Sequence, residues 1–273
     1  MSGLPSARAL ALHEARVHAG PRRELRELEH GTLLHDPLDA EPFWNRLVAP
    51  SFPMSGRAFD ARLTETLDLF GTLARYPHIR PMAEGNRPND IADRLRRAGF
   101  VDVSEDRVMV LRDPGAAARS VPAGLPAGIT VEHVSARTAS RERTSGEIAS
   151  VLAEAFGVGA DREAAIARDA RATIGQRGIE FVLVRIDDVV AAVAKRTSIR
   201  GVAYLSSVGT RPAQRGRGMG RLVTAAAVAG SVASGDRLVH LVVESGNGKA
   251  IAMYAALGFE LVGGPVPDLL LRP

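Results

Sequence analysis

Val208-Gly209-Thr210-Arg211-Pro212-Ala213-Gln214-Arg215-Gly216-Arg217-Gly218-Met219-Gly220-Arg221 is the stretch on which the reading of this chain turns. An apolar run, Gly201 to Val208, precedes it and reads as a strand; Leu222 to Val232 follows and reads as a helix of small residues. A glycine-dense, arginine-flanked turn between strand and helix is a cradle for an anion. Glycines let backbone N–H groups turn inward and approach a ligand closely. The helix start adds unpaired N–H groups and the positive end of a dipole. A phosphate or pyrophosphate is the expected occupant.

Three phosphate loops can be compared with it. A nucleotide-triphosphate loop needs Gly, four residues, then Gly-Lys-Ser/Thr. The chain has Gly248-Lys249, but Ala250 follows and Val243 stands where the first Gly belongs. A dinucleotide loop needs Gly-x-Gly-x-x-Gly, whereas Gly216, Gly218 and Gly220 run with single spacers. The third pattern, Arg-x-x-Gly-x-Gly, is met by Arg215, Gly218 and Gly220. It resembles the pyrophosphate loop of the GNAT superfamily of acetyl-CoA-dependent N-acyltransferases. Val208, Thr210 and Pro212 form a Val-x-Thr-x-Pro approach that is similar to that family, and Asn247, Ala250 and Tyr254 before Leu257-Gly258-Phe259 resemble its second signature. One helix and one strand, Arg237 to Val243, fit between the two. The resemblance covers residues 128–273.

The resemblance implies a function for each residue. Gly216, Gly218 and Gly220, with Met219 at the helix start, would present N–H groups to the pyrophosphate, and Arg215, Arg217 and Arg221 would add charge. Val208, Gly209 and Thr210 would pair through their backbone with the pantetheine arm, and an N–H there would polarise the thioester carbonyl. Tyr254 would protonate the departing thiolate. Asn247 would bind the cofactor arm, cap the next helix, or both. An ammonium acceptor must lose a proton before it attacks. Glu244, ending the preceding strand, is the first candidate base; Glu180, His133, His240 and a chain of waters are others.

Composition narrows the classes. The 273 residues suffice for one large or two modest domains, and 45% apolar content supports a proper core. Cysteine is absent, which excludes disulfides, thiolate metal sites and a cysteine nucleophile. It also fits a reducing compartment, and a cytoplasmic location is expected. No apolar run reaches the roughly 18 residues of a membrane span, and Met1 to His18 does not read as a secretory leader. The basic residues are almost all arginine, Lys195 and Lys249 being the exceptions. With a formal charge of only +4 and 4% aromatics, base-stacking on nucleic acid is not expected. His13 and His18 beside Glu14 do not make a zinc helix, since five residues place side chains about 140° apart. No Gly-x-Ser-x-Gly elbow supports an acyl-serine.

Domain organisation follows. Residues 114–127, proline- and alanine-rich, read as a linker. Beyond it come a strand at Ile129 to Val134 and a helix over Ser140 to Phe156, with Ile148, Val151, Leu152 and Phe156 on one face. A second helix, Asp161 to Ile174, precedes a hairpin turning at Asp187-Asp188. After the long strand, loop, helix, strand and helix, a last hairpin is expected from Phe259–Val262 and Asp268–Leu271. Residues 1–113 hold one internal echo: Ile91 to Val103 and Ile251 to Val262 align on Gly-Phe, each a helix entering a strand through a glycine. Such junctions are common, so coincidence is one reading; the sharper one is a degenerate unit of the same kind, with Phe43 to Val48 as its long strand and Phe59 to Ala74 as its helix. It lacks Gly-x-Gly and has Leu95 where Tyr254 falls.

The expected fold is therefore α/β (α+β): a mixed, splayed β-sheet flanked by helices, arranged as a tandem pseudo-repeat, with 1–113 degenerate or accessory and 128–273 the acetyltransferase domain. The expected function is transfer of an acetyl group from acetyl-CoA, without a metal, directly to an amine on a small molecule or peptide. A homodimer is compatible with it; nucleic acid and membrane are not expected partners. The alternative is a non-catalytic acyl-CoA-binding or regulatory module of the same fold.

Overall fold

Serines start three of the helices: Ser6, Ser55 and Ser140 each accept the N–H of the residue three places on, the N-cap arrangement. In the computed structural model, which describes residues 5–134 and 140–272, the elements follow in chain order. They are α1 (Ala7–Ala19), β1 (Glu24–Leu28), β2 (Gly31–His35), β3 (Arg46–Val48), α2 (Gly56–Thr72), β4 (His78–Arg80), α3 (Ile91–Arg97), β5 (Val101–Leu111), α4 (Pro114–Ala118), β6 (Ile129–Val134), α5 (Arg141–Phe156), α6 (Ala160–Thr173), β7 (Ile179–Ile186), β8 (Val189–Ile199), β9 (Val202–Thr210), α7 (Met219–Ala233), β10 (Leu238–Glu244), α8 (Gly248–Ala255) and β11 (Glu260–Leu270). Met1 to Leu4, the head of the segment read for a leader, lie outside the described residues.

The chain divides into two units. The first takes Met1–Val108 with Val243–Gly248 and Leu261–Pro273; the second takes Met109–Val242 with Lys249–Glu260. In the second, β6, β7, β8 and β9 are antiparallel neighbours and β10 lies parallel to β9. The β7–β8 turn is the expected acidic one, with Asp187 at φ 46° and Asp188 at φ 65°, the left-handed pair a two-residue hairpin needs. Its core gathers Ile148, Val151 and Leu152 of α5 against Phe181, Leu183 and Val193. Phe156, expected on that face, is instead 55% exposed, because it is the last residue of α5.

In the first unit, β1, β2 and β3 are antiparallel neighbours, β4 runs parallel to β3, and β11 antiparallel to β4. Leu33, Leu47, Phe59, Phe70, Ile79 and Leu95 form its core. The succession β3–α2–β4–α3–β5 matches β9–α7–β10–α8–β11, each with one parallel strand pair. The Gly-Phe echo is real in three dimensions. Gly99 and Gly258 take φ 95° and 91°. The next residue closes the same backbone bond in each case, Phe100 N–H to Leu95 O at 3.1 Å and Phe259 N–H to Tyr254 O at 3.0 Å. The fold is thus a mixed α/β tandem pseudo-repeat.

Three local expectations change. Phe43 to Val48 is not one long strand: Pro42–Trp44 is a single 3₁₀ turn, and β3 begins at Arg46. Asn45 diverts the backbone there, accepting from Asp36 N–H and donating to the Asp39 and Glu41 carbonyls. The segment read as a linker contains α4, which packs on α7; Asp113 caps it, Pro114 opens it, and alanines favour helix. The last hairpin is a single strand, β11. Its glycines serve close approach instead of a turn, since a Cβ on Gly263 would come 2.8 Å from the Ala83 Cβ. Among the described residues no helix is long and apolar enough to cross a membrane.

The first unit also buries a group of charges. Arg80, 4% exposed, lies 2.8 Å from Asp106 Oδ2 and 2.8 Å from Asp268 Oδ2. Arg46, fully buried, bonds Glu14 at 3.0 Å. His78 and Ser104 add contacts to Asp268 at 3.2 and 3.0 Å. Burial alone would raise the Asp268 carboxyl, but Arg80, the His78 hydrogen bond and Arg46 outweigh it and hold it far below the carboxylate range. Asp106 goes the other way, because its burial exceeds the attraction of Arg80.

Candidate active site

β9 delivers the chain to the cradle, and it does so through a bulge. Thr210 pairs with Ala192 and Gly209 with Val193, but Ser206 pairs with Lys195. Ser207 and Val208 therefore stand opposite the single residue Ala194, and Ser207 takes φ 50°. A two-against-one mismatch turns a strand and leaves a residue out of the ladder. Backbone N–H at this point is released just before the glycine loop. Gly209 is buried, and a Cβ there would come 2.9 Å from Leu152 Cδ2 and 3.1 Å from Ala155 Cβ. Its glycine is needed so that α5 can lie against the strand.

Arg211 fixes the exit. Its N–H bonds Ala191 O at 2.9 Å. Its guanidinium donates to Val190 O at 2.7 Å and Ser150 Oγ at 3.1 Å, and pairs with Glu154. Sequence reading gave this residue no role, and only its charge beside Pro212 hinted at one. Arg211→Ala is expected to leave the second unit folded and weaken CoA binding about tenfold, by loosening the loop relative to α5. Calorimetric titration with CoA checks this; unchanged affinity would remove Arg211 from the positioning of the cradle.

Past a 3₁₀ turn at Pro212–Gln214, the backbone goes left-handed at Gly216 (φ 74°) and Gly218 (φ 79°). A Cβ on either would meet nothing within 4 Å. These glycines are thus required for conformation, and the space above them is open. Gly218 is the N-cap of α7, with no side-chain cap and no acidic residue in the first turn. The N–H groups of Met219, Gly220 and Arg221 consequently have no intrahelical acceptor, and the helix dipole points at the same spot. Gly220 differs: a Cβ would lie 3.1 Å from Thr210 Oγ1 and 3.4 Å from Met253 Sδ, so it lets α7 start close against β9 and α8.

The arginines divide. Arg215 donates to Ala155 O at 2.7 Å and Thr210 O at 3.4 Å, which makes it a brace of the loop. Arg217 bonds Gln214 Oε1 at 2.5 Å, and Arg221 is exposed on the first turn of α7. Tyr254 is 6% exposed and stacks edge-on against Phe259, with ring centres 5.7 Å apart. Burial pushes its hydroxyl up to about 12, so it carries its proton at neutral pH. Glu244 is exposed at the end of β10, its carbonyl accepting the Asn247 N–H at 2.9 Å; both lie on the Val243–Gly248 segment of the first unit.

The weaker base candidates are occupied elsewhere. Glu180 opens β7 opposite Arg196, bonding Arg196 Nε at 3.1 Å and His133 at 3.1 Å. Burial would raise its carboxyl, but His133 and Arg196 outweigh that and lower it, which makes it a poor base. His133 is raised by the same hydrogen bond. His240 is 1% exposed and stacks on Tyr204 at 4.9 Å. His18 packs its ring on Phe43 and Trp44. Among the described residues no group of three His, Cys, Asp or Glu side chains is placed to hold a metal.

Comparison with known proteins agrees with this geometry. Residues 182–264, which include the bulge, the cradle and Tyr254, match the family described as FR47-like protein. Among solved structures, the chain is similar to a GCN5-related N-acetyltransferase from Kribbella flavida. The two are 23% identical over 99% of this chain and 97% of that one, with a TM-score of 0.74. A functionally unknown conserved protein from Staphylococcus epidermidis is 13% identical over 91% and 93%, TM-score 0.69. A tandem GNAT protein from the clavulanic acid biosynthesis pathway is 17% identical over 94% and 86%, TM-score 0.60. No curated protein matches the sequence. The fold is that of these solved GNAT structures, one of them a tandem GNAT protein, and the match to the FR47-like family spans residues 182–264.

Proposed function

We propose that this protein is a cytoplasmic N-acetyltransferase that moves an acetyl group from acetyl-CoA directly to an amine of a small molecule or peptide. The observation that carries the reading is the series of a strand bulge at Ser207–Val208, left-handed glycines at 216 and 218, and an uncapped helix start at Met219. A thioester with a diphosphate at its far end needs these parts in that order. The helix start and the Gly216–Gly218 amides hold the pyrophosphate. The freed N–H at the bulge polarises the thioester carbonyl and stabilises the oxyanion that forms on it. The amine nitrogen forms the new C–N bond, the C–S bond breaks, Tyr254 gives its proton to the departing thiolate, and the second proton, which the nitrogen loses as the amide forms, returns to Tyr254. The ammonium proton of the acceptor must leave first; we assign Glu244 to take it. Asn247 we assign to the cofactor arm. No acyl-enzyme is needed, and without cysteine a thiol nucleophile is unavailable.

Screening amines for thiol release from acetyl-CoA tests the reaction itself. Tight CoA binding with no release from any amine would support the non-catalytic alternative. With an acceptor in hand, Tyr254→Phe keeps the ring and its packing on Phe259. Acid assistance contributes on the order of 10²–10⁴-fold, and a thiolate is a good leaving group, so kcat should fall roughly 10–100-fold. CoA affinity and thermal stability should hardly change. Wild-type turnover in that variant would remove Tyr254 from the mechanism.

A further inference from the structure

The second unit has another polar cavity, of about 690 Å³, lined by Arg177, Glu180, Arg196, Ser198, Arg200 and Asp236 among others. It is separate from the cradle. Gly201 and Asp236 line it just before β9 and β10 begin, whereas the cradle follows the carboxyl end of β9. Eight strand steps at about 3.3 Å place roughly 26 Å between the two. Its volume lies in the range of small-ligand sites.

The cavity is built around a buried cation. Arg196 is 6% exposed. Its Nε donates to Glu180 Oε2 at 3.1 Å, and its Nη1 donates to Ser198 Oγ at 2.7 Å and Asp236 Oδ2 at 3.3 Å. Ser198 donates to the same Asp236 oxygen at 2.6 Å. Glu180 also takes the His133 bond at 3.1 Å, and a Cβ on Gly230 of α7 would collide with its carboxylate. Both acids are therefore engaged from within the protein. Nη2 of Arg196 has no hydrogen-bond partner among the described residues and is left to the cavity. Arg177 and Arg200 are exposed on the lining, likewise without a partner among those residues. Among the charged groups of this cavity, those left short of partners among the described residues are the three guanidinium groups.

We infer that this cavity is a second anion site, which takes the carboxylate or phosphate group of a small ligand. A planar guanidinium with a free terminal nitrogen binds either oxyanion, and two flanking arginines offer the fork geometry that both share. The test is calorimetric titration of Gly218→Asp protein, whose cradle holds its own carboxylate, with inorganic phosphate and separately with succinate. At least one should bind at a single site, and which one does distinguishes the two ligand chemistries. Arg177→Ala/Arg200→Ala in the same background should weaken that binding about tenfold or more. Both residues are exposed, so circular dichroism should be unchanged. Absence of binding by both anions, or equal affinity in the double variant, would overturn the inference.

Discussion

Gly218→Asp is expected to weaken CoA binding by roughly 10²–10³-fold, since like charges brought together cost several kcal/mol, while the protein stays folded. Gly218 holds φ 79° at the N-cap of α7, with open space where a side chain would go. Aspartate is among the residues that tolerate left-handed backbone, at a cost of about 1 kcal/mol. At an N-cap its carboxylate is also favourable, which offsets much of that cost. The same carboxylate takes the helix N–H groups that a pyrophosphate would use and places a negative charge beside them. Gly218→Asn separates the effects, because it carries the same backbone strain without the charge. Calorimetry with CoA should show a small loss for Asn and near-complete loss for Asp. Equal affinities for wild type and the Asp variant would sink the cradle assignment.

The second large effect is on stability. Asp268→Asn is expected to destabilise the first unit by about 3–5 kcal/mol, the usual result of leaving a buried partner charge uncompensated. The buried cation that loses a partner would be Arg80, which keeps only Asp106 at 2.8 Å and Glu14 at 3.9 Å, with His78 beside it. Asp106→Asn should cost less, because burial already works against that carboxylate's charge. The pH dependence has a definite sign. The Asp268 carboxyl is depressed in the fold, so its contribution is complete above the unfolded value near pH 4 and declines as pH falls below it. The gap between wild type and Asp268→Asn should therefore narrow from pH 7 to pH 3. The single tryptophan, Trp44, belongs to the first unit, so its fluorescence during urea unfolding reports that unit. A gap of the same size at both pH values would refute electrostatic stabilisation by Asp268.

Much of the site and half of the fold are legible in the residues themselves, wherever the physics is local. Glycines at 216 and 218 are needed because only they take left-handed φ without cost, and that constraint is written in the chain. So are the Asp187-Asp188 turn, the period of α5 and the Gly-Phe junctions that reveal the repeat. Tertiary structure alone decided the rest. Whether Ser207 lies in a ladder or a bulge depends on register against β8, a pairing that no residue near Ser207 encodes. Phe259–Val262 and Asp268–Leu271 read as two strands of a hairpin, yet β11 is one strand through both, because Ala83 offers a partner 181 positions from Gly264, its carbonyl accepting the Gly264 N–H at 3.2 Å. Glu180 and His133 read as candidate bases until strand pairing set them beside Arg196. The buried charges at Glu14, Arg46, Arg80, Asp106 and Asp268 come from five different elements. Each alone reads as a solvated surface residue. They are stable in the interior because folding brings opposite charges within hydrogen-bonding distance, a condition that exists only in three dimensions.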